Sequence, residues 1–151
     1  MTTKSLFLAP DRDEMLARIG SVRPDSARQW GKMDVAQMLA HCQAPLRVAT
    51  GEKTIQRGLV GVLFGGIAKK KLAGPEPFGK NLPTDKSFRV VDPRDFGRER
   101  DALVLIVRTF GERGAAGLTK EPHPFFGKLE TPEWEALMWK HLDHHLRQFS
   151  A

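Results

Sequence analysis

The sequence predicts an all-α protein, a bundle of three or four amphipathic helices joined by long Gly/Pro-rich connections. Apolar residues recur at helical spacing in several segments, which indicates helices with one buried face. Two segments begin with a capping residue followed by proline, a typical helix start, and no segment shows convincing alternation of apolar and polar residues. A length of 151 residues suits one domain, residues 1–151.

The first two helices are predicted in the N-terminal third. Asp11–Ile19 begins with acidic residues and continues with apolar ones at helical spacing, which indicates a short helix. Asp34 and Gln37 resemble a capping box that opens a second helix running to about Gly51. The buried face of this second helix is predicted to contain Val35, Met38, Leu39, Cys42, Leu46 and Ala49.

The last two helices follow similar start signals. Asp92-Pro93 should open the third helix, which ends near Gly114, and Thr131-Pro132 should open the last. Residues three, four and seven apart return to the same side of a helix. One face of the last helix is therefore predicted to carry Trp134, Leu137, Met138, His141, His145 and Phe149.

The middle of the chain, Glu52–Val91, is dense in glycine and proline and is expected to form a long excursion, such as a lid or binding loop. Its apolar run, Leu59–Ala68, contains three glycines, each of which weakens a helix by about 1 kcal/mol relative to alanine. We therefore expect a mobile flap or a close-packed segment within Gly58–Gly79. Ser87–Val91 is compatible with a short strand, although no partner strand is evident.

Composition limits the classes of function. The chain has 24 basic and 18 acidic residues, a net charge of +6, partly concentrated at Lys69-Lys70-Lys71. One basic triplet without interleaved aromatic residues does not favour nucleic acid as a partner. The single cysteine, Cys42, excludes an internal disulfide and suits the cytoplasm. Met1–Pro10 lacks the pattern of a signal peptide, and the longest apolar run is too short to span a bilayer.

Two histidines on the predicted apolar face of the last helix indicate a metal site. His141 and His145 are four residues apart, so their rings meet, and one shared ion would satisfy both in a dry core. His41, in the middle of the second helix, is the predicted third ligand, because bundles build metal sites from facing helices. The alternative is that these histidines are ordinary buried polar residues with backbone partners.

Four further residues are considered as site residues, on less specific signals. Glu99 shares the inward face of the third helix and is a candidate general acid/base or histidine partner, although it could equally be solvated at a bundle end. His123, in a Pro-flanked stretch, is a candidate loop residue near the site mouth. His144 is expected outside the metal ligands, and Cys42 is expected to be an inert core residue rather than a nucleophile.

Two motif-like stretches do not support their usual chemistry. Leu142 follows the first histidine of the pair, where zinc peptidases have the glutamate that acts as general base. Gly74–Asn81 resembles a phosphate-binding loop, but Asn81 replaces the magnesium-binding hydroxyl and two prolines remove amide donors.

The three histidines, with the His-x-x-x-His pair in the last helix, resemble the metal triad of the DinB-like (YfiT-type metal-binding) superfamily of four-helix bundles. Further stretches are similar to its branch known as domain of unknown function 1569, and together they cover nearly the whole chain. These stretches are Trp30-Gly31-Lys32-Met33, Gln37-Met38-Leu39-Ala40-His41-Cys42, Asn81-Leu82-Pro83-Thr84 and His123-Pro124-Phe125-Phe126-Gly127-Lys128-Leu129.

This resemblance implies a DinB-like four-helix bundle in which His41, His141 and His145 hold a divalent metal ion, commonly zinc or nickel. It also implies a homodimer, and an activity such as transfer of a low-molecular-weight thiol. Our leading hypothesis is thus a cytoplasmic metal-dependent transferase or hydrolase acting on a small molecule, with neither nucleic acid nor membrane as partner. The alternative is a non-enzymatic interaction bundle that binds a protein partner or an anionic membrane through Leu59–Lys71.

Overall fold

The computed structural model describes residues 4–151 and confirms the all-α class. Within that range the chain forms five α-helices and two short 3-10 turns, at Lys86–Phe88 and Gly114–Gly117. The helices are α1 (Ala9–Ser21), α2 (Val35–Ala49), α3 (Leu59–Leu72), α4 (Phe96–Arg113) and α5 (Thr131–Gln148). The first three residues of Met1–Pro10, the stretch used to assess a signal peptide, lie outside the described residues.

The predicted helix starts are partly confirmed. The Asp34 side chain accepts a hydrogen bond from Gln37 N at 2.8 Å, and Gln37 Oε1 accepts one from Asp34 N at 3.0 Å, so the predicted capping box opens α2. The predicted start of α4 at Asp92-Pro93 is wrong. Asp95 caps this helix by accepting from Arg98 N at 2.8 Å, whereas Asp92 is exposed and pairs with Arg94.

Four of the helices pack on one another around the core. α2 lies against α4 and α5, and α1 also contacts α4 and α5. Their shared interior is filled by apolar side chains with almost no exposure to solvent, which bury the helical stripes expected from the sequence. These include Met15, Ile19, Met38, Leu39, Leu46, Leu103, Val107, Leu142 and Leu146. Cys42 belongs to this core, as predicted.

The middle of the chain differs from the prediction. Leu59–Leu72 is a helix rather than an unstructured excursion, because Gly61 and Gly65 face the protein, where they allow close packing. A Cβ atom on Gly61 would lie 2.7 Å from the carbonyl oxygen of Pro124. The short strand suggested for Ser87–Val91 is also absent: a 3-10 turn occupies Lys86–Phe88, and no strand partner lies beside it among residues 4–151.

None of the helices in the described range is both long and apolar enough to cross a membrane. α3 is the most apolar of them, but it has only 14 residues.

Candidate metal centre

The three histidines predicted as metal ligands come together between α2 and α5. The ring of His41 lies 5.0 Å from that of His141 and 4.6 Å from that of His145, measured between centroids. One ring nitrogen from each of the three residues can be chosen so that all three atoms lie within 4.8 Å of one another. The 141/145 spacing on α5 and the position of His41 on the facing helix α2 therefore produce the cluster that the sequence indicated.

A backbone carbonyl sets the orientation of His41. Its Nδ1 atom donates to the carbonyl oxygen of Phe88 at 2.7 Å. With the proton on Nδ1, the neutral ring presents an unprotonated Nε2, and this atom lies 3.1 Å from Nε2 of His141. Phe88 belongs to the 3-10 turn at Lys86–Phe88, which is held by the Asp85 side chain through Ser87 N at 2.8 Å. The turn thus positions His41, which is 47 residues away in the sequence.

A side-chain amide orients His145 in the same way. Gln148 Oε1 accepts from Nδ1 of His145 at 2.9 Å, while Gln148 Nε2 donates to the carbonyl oxygen of Trp30 at 2.7 Å. The second bond fixes which end of the amide faces the histidine. Gly31 has a φ of +82°, and a Cβ atom there would collide with Gln148 Nε2. The loop before α2 therefore needs glycine at this position to let the amide approach.

Burial keeps the imidazoles neutral. It lowers the pKa of His41, an effect partly opposed by the bond to Phe88, and it lowers the pKa of His145 to about 3. The pKa of His141 lies well below its ordinary value, first because of burial and then because of the neighbouring histidines. Neutral imidazole is the form that binds metal ions. The three rings are thus in the ligand form at neutral pH.

The three nitrogen donors fit a divalent cation of intermediate softness, such as zinc. Two nitrogen ligands at about 2.0–2.1 Å from zinc are about 3.3 Å apart in a tetrahedral arrangement, close to the 3.1 Å between Nε2 of His41 and Nε2 of His141. A hydrogen bond from Nδ1 to an oxygen acceptor, as His41 and His145 make, is the usual support of a metal-binding histidine. Three imidazoles can therefore hold such an ion and leave further coordination positions for water or substrate.

His144 lies beside this cluster, at a more buried position than the sequence indicated. Its ring is 4.9 Å from that of His145 and packs near the aromatic rings of Trp30 and Phe78, at 5.5 and 6.5 Å. Its Nδ1 atom is buried without a hydrogen-bond partner within residues 4–151. It is not one of the three histidines whose ring nitrogens cluster.

The other predicted site residues do not belong to the cluster of three histidines. Glu99 is buried on α4, where it accepts from Gln43 Nε2 at 2.7 Å and lies 3.6 Å from Arg94; in the described part of the chain it has no hydrogen bond to His41, His141 or His145. His123 is buried against Trp134, and its Nδ1 accepts from the amides of Phe125 and Phe126. Burial raises the pKa of the Cys42 thiol, which disfavours the nucleophilic thiolate.

The sequence analysis did not identify the residues that orient the clustered histidines. Gln148 is three residues after His145, a spacing that brings two side chains together on a helix, so this partner could have been found. Phe88 contributes only its carbonyl oxygen, which every residue type possesses, and no sequence signal marks it.

Comparison with known proteins assigns a family without assigning an activity. The family model described as "Protein of unknown function (DUF1569)" matches residues 75–151, a region that contains α4, α5 and the His141/His145 pair but not His41. Searches of curated proteins and of solved structures gave no match. Because the matched region makes up just over half of the chain, this protein belongs to the DUF1569 family.

Proposed function

We propose that this protein binds a divalent metal ion through His41, His141 and His145 and uses it in catalysis on a small molecule. The observation that carries the proposal is the mutual orientation of the rings. His41 and His145 each direct Nδ1 to an oxygen acceptor, so that the free nitrogen of each is Nε2. Imidazoles held close together in the neutral form have a common use as ligands of one ion.

A divalent ion held there would act as a Lewis acid, lowering the pKa of a water or thiol and stabilising the resulting anion. The chain's own residues would prepare the site. Phe88 and Gln148 keep the Nδ1 protons of His41 and His145 in place, and burial keeps the rings uncharged. Hydrolysis and transfer of a low-molecular-weight thiol are the two reaction classes that this chemistry supports, with zinc or nickel as the expected metal.

We also propose that α1, α2, α4 and α5 form a DinB-like four-helix bundle. Their mutual packing and the placement of the three histidines on α2 and α5 support this assignment. A buried, unpaired cysteine suits a reducing compartment, so we propose the cytoplasm as its location.

Elemental mass spectrometry of protein purified without a histidine tag tests the ligand assignment. The wild type should carry or take up a stoichiometric amount of zinc or nickel, and His145→Ala should not. His144→Ala is the matched control, since it removes a neighbouring imidazole on the same helix and should retain the metal. Full metal content in His145→Ala, or failure of the wild type to take up added zinc, nickel or manganese, would contradict the proposal.

A further inference from the structure

Over residues 59–67, helix α3 has its large apolar side chains on its outer face and glycines on its inner face, whereas Leu72 near its C-terminus is buried. Surface helices of globular proteins show the opposite arrangement, with apolar residues toward the core. Gly61 and Gly65 are buried on the inner face. The outer apolar residues are between 55% and 74% exposed: Leu59, Val60, Val62, Leu63, Phe64 and Ile67.

The orientation of α3 is fixed by specific contacts. Gly61 and Gly65 lie so close to the backbone of residues 124–126 that a Cβ atom at either position would collide with it. At the other end, Lys140 Nζ donates to the carbonyl oxygen of Leu72 at 2.8 Å, which satisfies one of the free acceptors of the helix C-terminus. Lys69 forms an ion pair with Glu133 on α5 at 3.0 Å. These contacts hold the apolar face outward.

The sequence segment that contains α3 carries charge of one sign. From residue 53 to residue 75 the sequence contains five basic residues, Lys53, Arg57, Lys69, Lys70 and Lys71, and no acidic one. Lys70 and Lys71 are exposed and follow Ile67 by three and four residues, so they continue the outer face of the helix. The outer face is therefore apolar over its first turns and cationic at its C-terminal end.

We propose that α3 is a docking helix for an anionic membrane surface. Its apolar side chains would enter the interface between headgroups and acyl chains, and Lys70 and Lys71 would contact lipid phosphates. With 14 residues the helix is about 21 Å long, so it would lie in the plane of the membrane. A second copy of the chain is a poorer occupant, because its α3 would bring the same positive charge to the contact.

This proposal changes the expectation that a membrane is not a partner. The sequence predicted a mobile flap or a close-packed segment, and an anionic membrane entered only in the alternative hypothesis. The burial of Gly61 and Gly65 leaves the apolar side chains of α3 exposed, which favours that partner. The proposal is independent of the metal site, since none of the three histidines lies on α3.

Vesicle co-sedimentation tests the proposal on the full chain. The wild type should sediment with vesicles of phosphatidylcholine plus phosphatidylglycerol, far less with phosphatidylcholine alone, and less at high salt. Lys70→Gln/Lys71→Gln should lower the partition coefficient about 20- to 30-fold, and Leu63→Gln/Ile67→Gln at least about tenfold. The matched controls Lys32→Gln/Lys120→Gln and Leu105→Gln change exposed residues elsewhere and should bind as the wild type does.

A fluorescent label gives a second measurement that does not depend on a loss of binding. Cys42 is 1% exposed, so an environment-sensitive dye can be placed selectively on Leu63→Cys. Its emission should shift to the blue when anionic vesicles are added, and the same dye on Leu105→Cys should not respond. No binding to anionic vesicles, or equal binding to neutral ones, would overturn the proposal. A dimer that Leu63→Gln/Ile67→Gln dissociates, without vesicle binding, would assign the face to a second copy instead.

Discussion

The side-chain oxygen of Gln148 accepts a hydrogen bond from Nδ1 of His145 at 2.9 Å, and the same amide holds the Trp30 carbonyl through its nitrogen. The loop before α2 and the end of α5 are thereby joined at the candidate metal centre. Gln148 is itself buried, so the bond is protected from competing water. Gln148 thus acts as a positioning residue, which fixes the tautomer and the direction of the histidine ring.

Gln148→Leu should weaken metal binding about 10- to 100-fold, the usual effect of removing the partner of a ligating histidine. The affinity can be measured by competition with a chelator. Gln148→Glu retains an acceptor for His145 and should lose less affinity than Gln148→Leu. Gln56→Leu, at an exposed position, is the control for the polarity change. Wild-type affinity in Gln148→Leu would show that this hydrogen bond does not position the ligand.

Gly31→Ala should both destabilise the fold and weaken metal binding. The backbone at Gly31 has a φ of +82°, and the added Cβ would meet Gln148 Nε2. Together these effects should lower the free energy of unfolding by about 1–3 kcal/mol, measured by urea denaturation. Gly20→Ala is the matched control: nothing lies within 4 Å of its Cβ position, so stability should be unchanged or slightly higher. Equal stability of the two variants would contradict the assigned role of Gly31.

The neighbouring glycines of α3 should respond in opposite directions to alanine. A Cβ at Gly65 would collide with the carbonyl of Phe125, whereas a Cβ at Gly66 would meet nothing within 4 Å. Gly66→Ala should therefore stabilise the helix by up to about 1 kcal/mol, and Gly65→Ala should loosen it from residues 124–126. Hydrogen exchange of the α3 amides reports both effects. Increased protection in both variants would mean that α3 does not pack through Gly65.

The buried ring of His123 should make stability depend on pH. Burial lowers its pKa from the ordinary 6.5 to about 4, and protonation would also break the bonds that Nδ1 accepts from Phe125 N and Phe126 N. Because the folded state has the lower pKa, the unfolded chain takes up the proton first as pH falls. The stability present above pH 6.5 is lost as the pH falls towards about 4, by up to about 3 kcal/mol.

Substitution of His123 by asparagine isolates this contribution. His123→Asn keeps an acceptor for the two amides but does not titrate. Denaturant unfolding of both metal-free proteins between pH 6.5 and 4 should therefore give a flatter dependence for the variant. Parallel curves for the two proteins would contradict the low pKa of His123.

The helices that form the core could be predicted because their apolar residues and caps agree. The Asp34/Gln37 capping box and the buried face of α2 are both local signals, and both are present in the structure. The start of α4 was misplaced because Asp92 and Asp95 are equally good capping residues in sequence. The hydrogen bond from Arg98 N to Asp95 decides between them.

The segment Leu59–Leu72 could not be predicted as a helix from local propensity. Its glycines lower helix propensity. The backbone of residues 124–126 packs directly against Gly61 and Gly65, however, and that tertiary contact outweighs the loss of helix propensity. At the candidate site, the His141/His145 spacing is encoded within one helix, whereas the Phe88 carbonyl reaches His41 only through a turn 47 residues away. Residue types in the sequence indicate which side chains cluster, but they carry no signal for a partner that contributes only its backbone carbonyl.

Anomalous diffraction from crystals grown with zinc shows whether the three histidines share one metal ion. We expect one strong peak at the zinc edge, about 2.0–2.1 Å from an imidazole nitrogen of each of His41, His141 and His145. A peak bound instead by His144 or His123, or no ordered peak between α2 and α5 in crystals exposed to excess zinc, would contradict it.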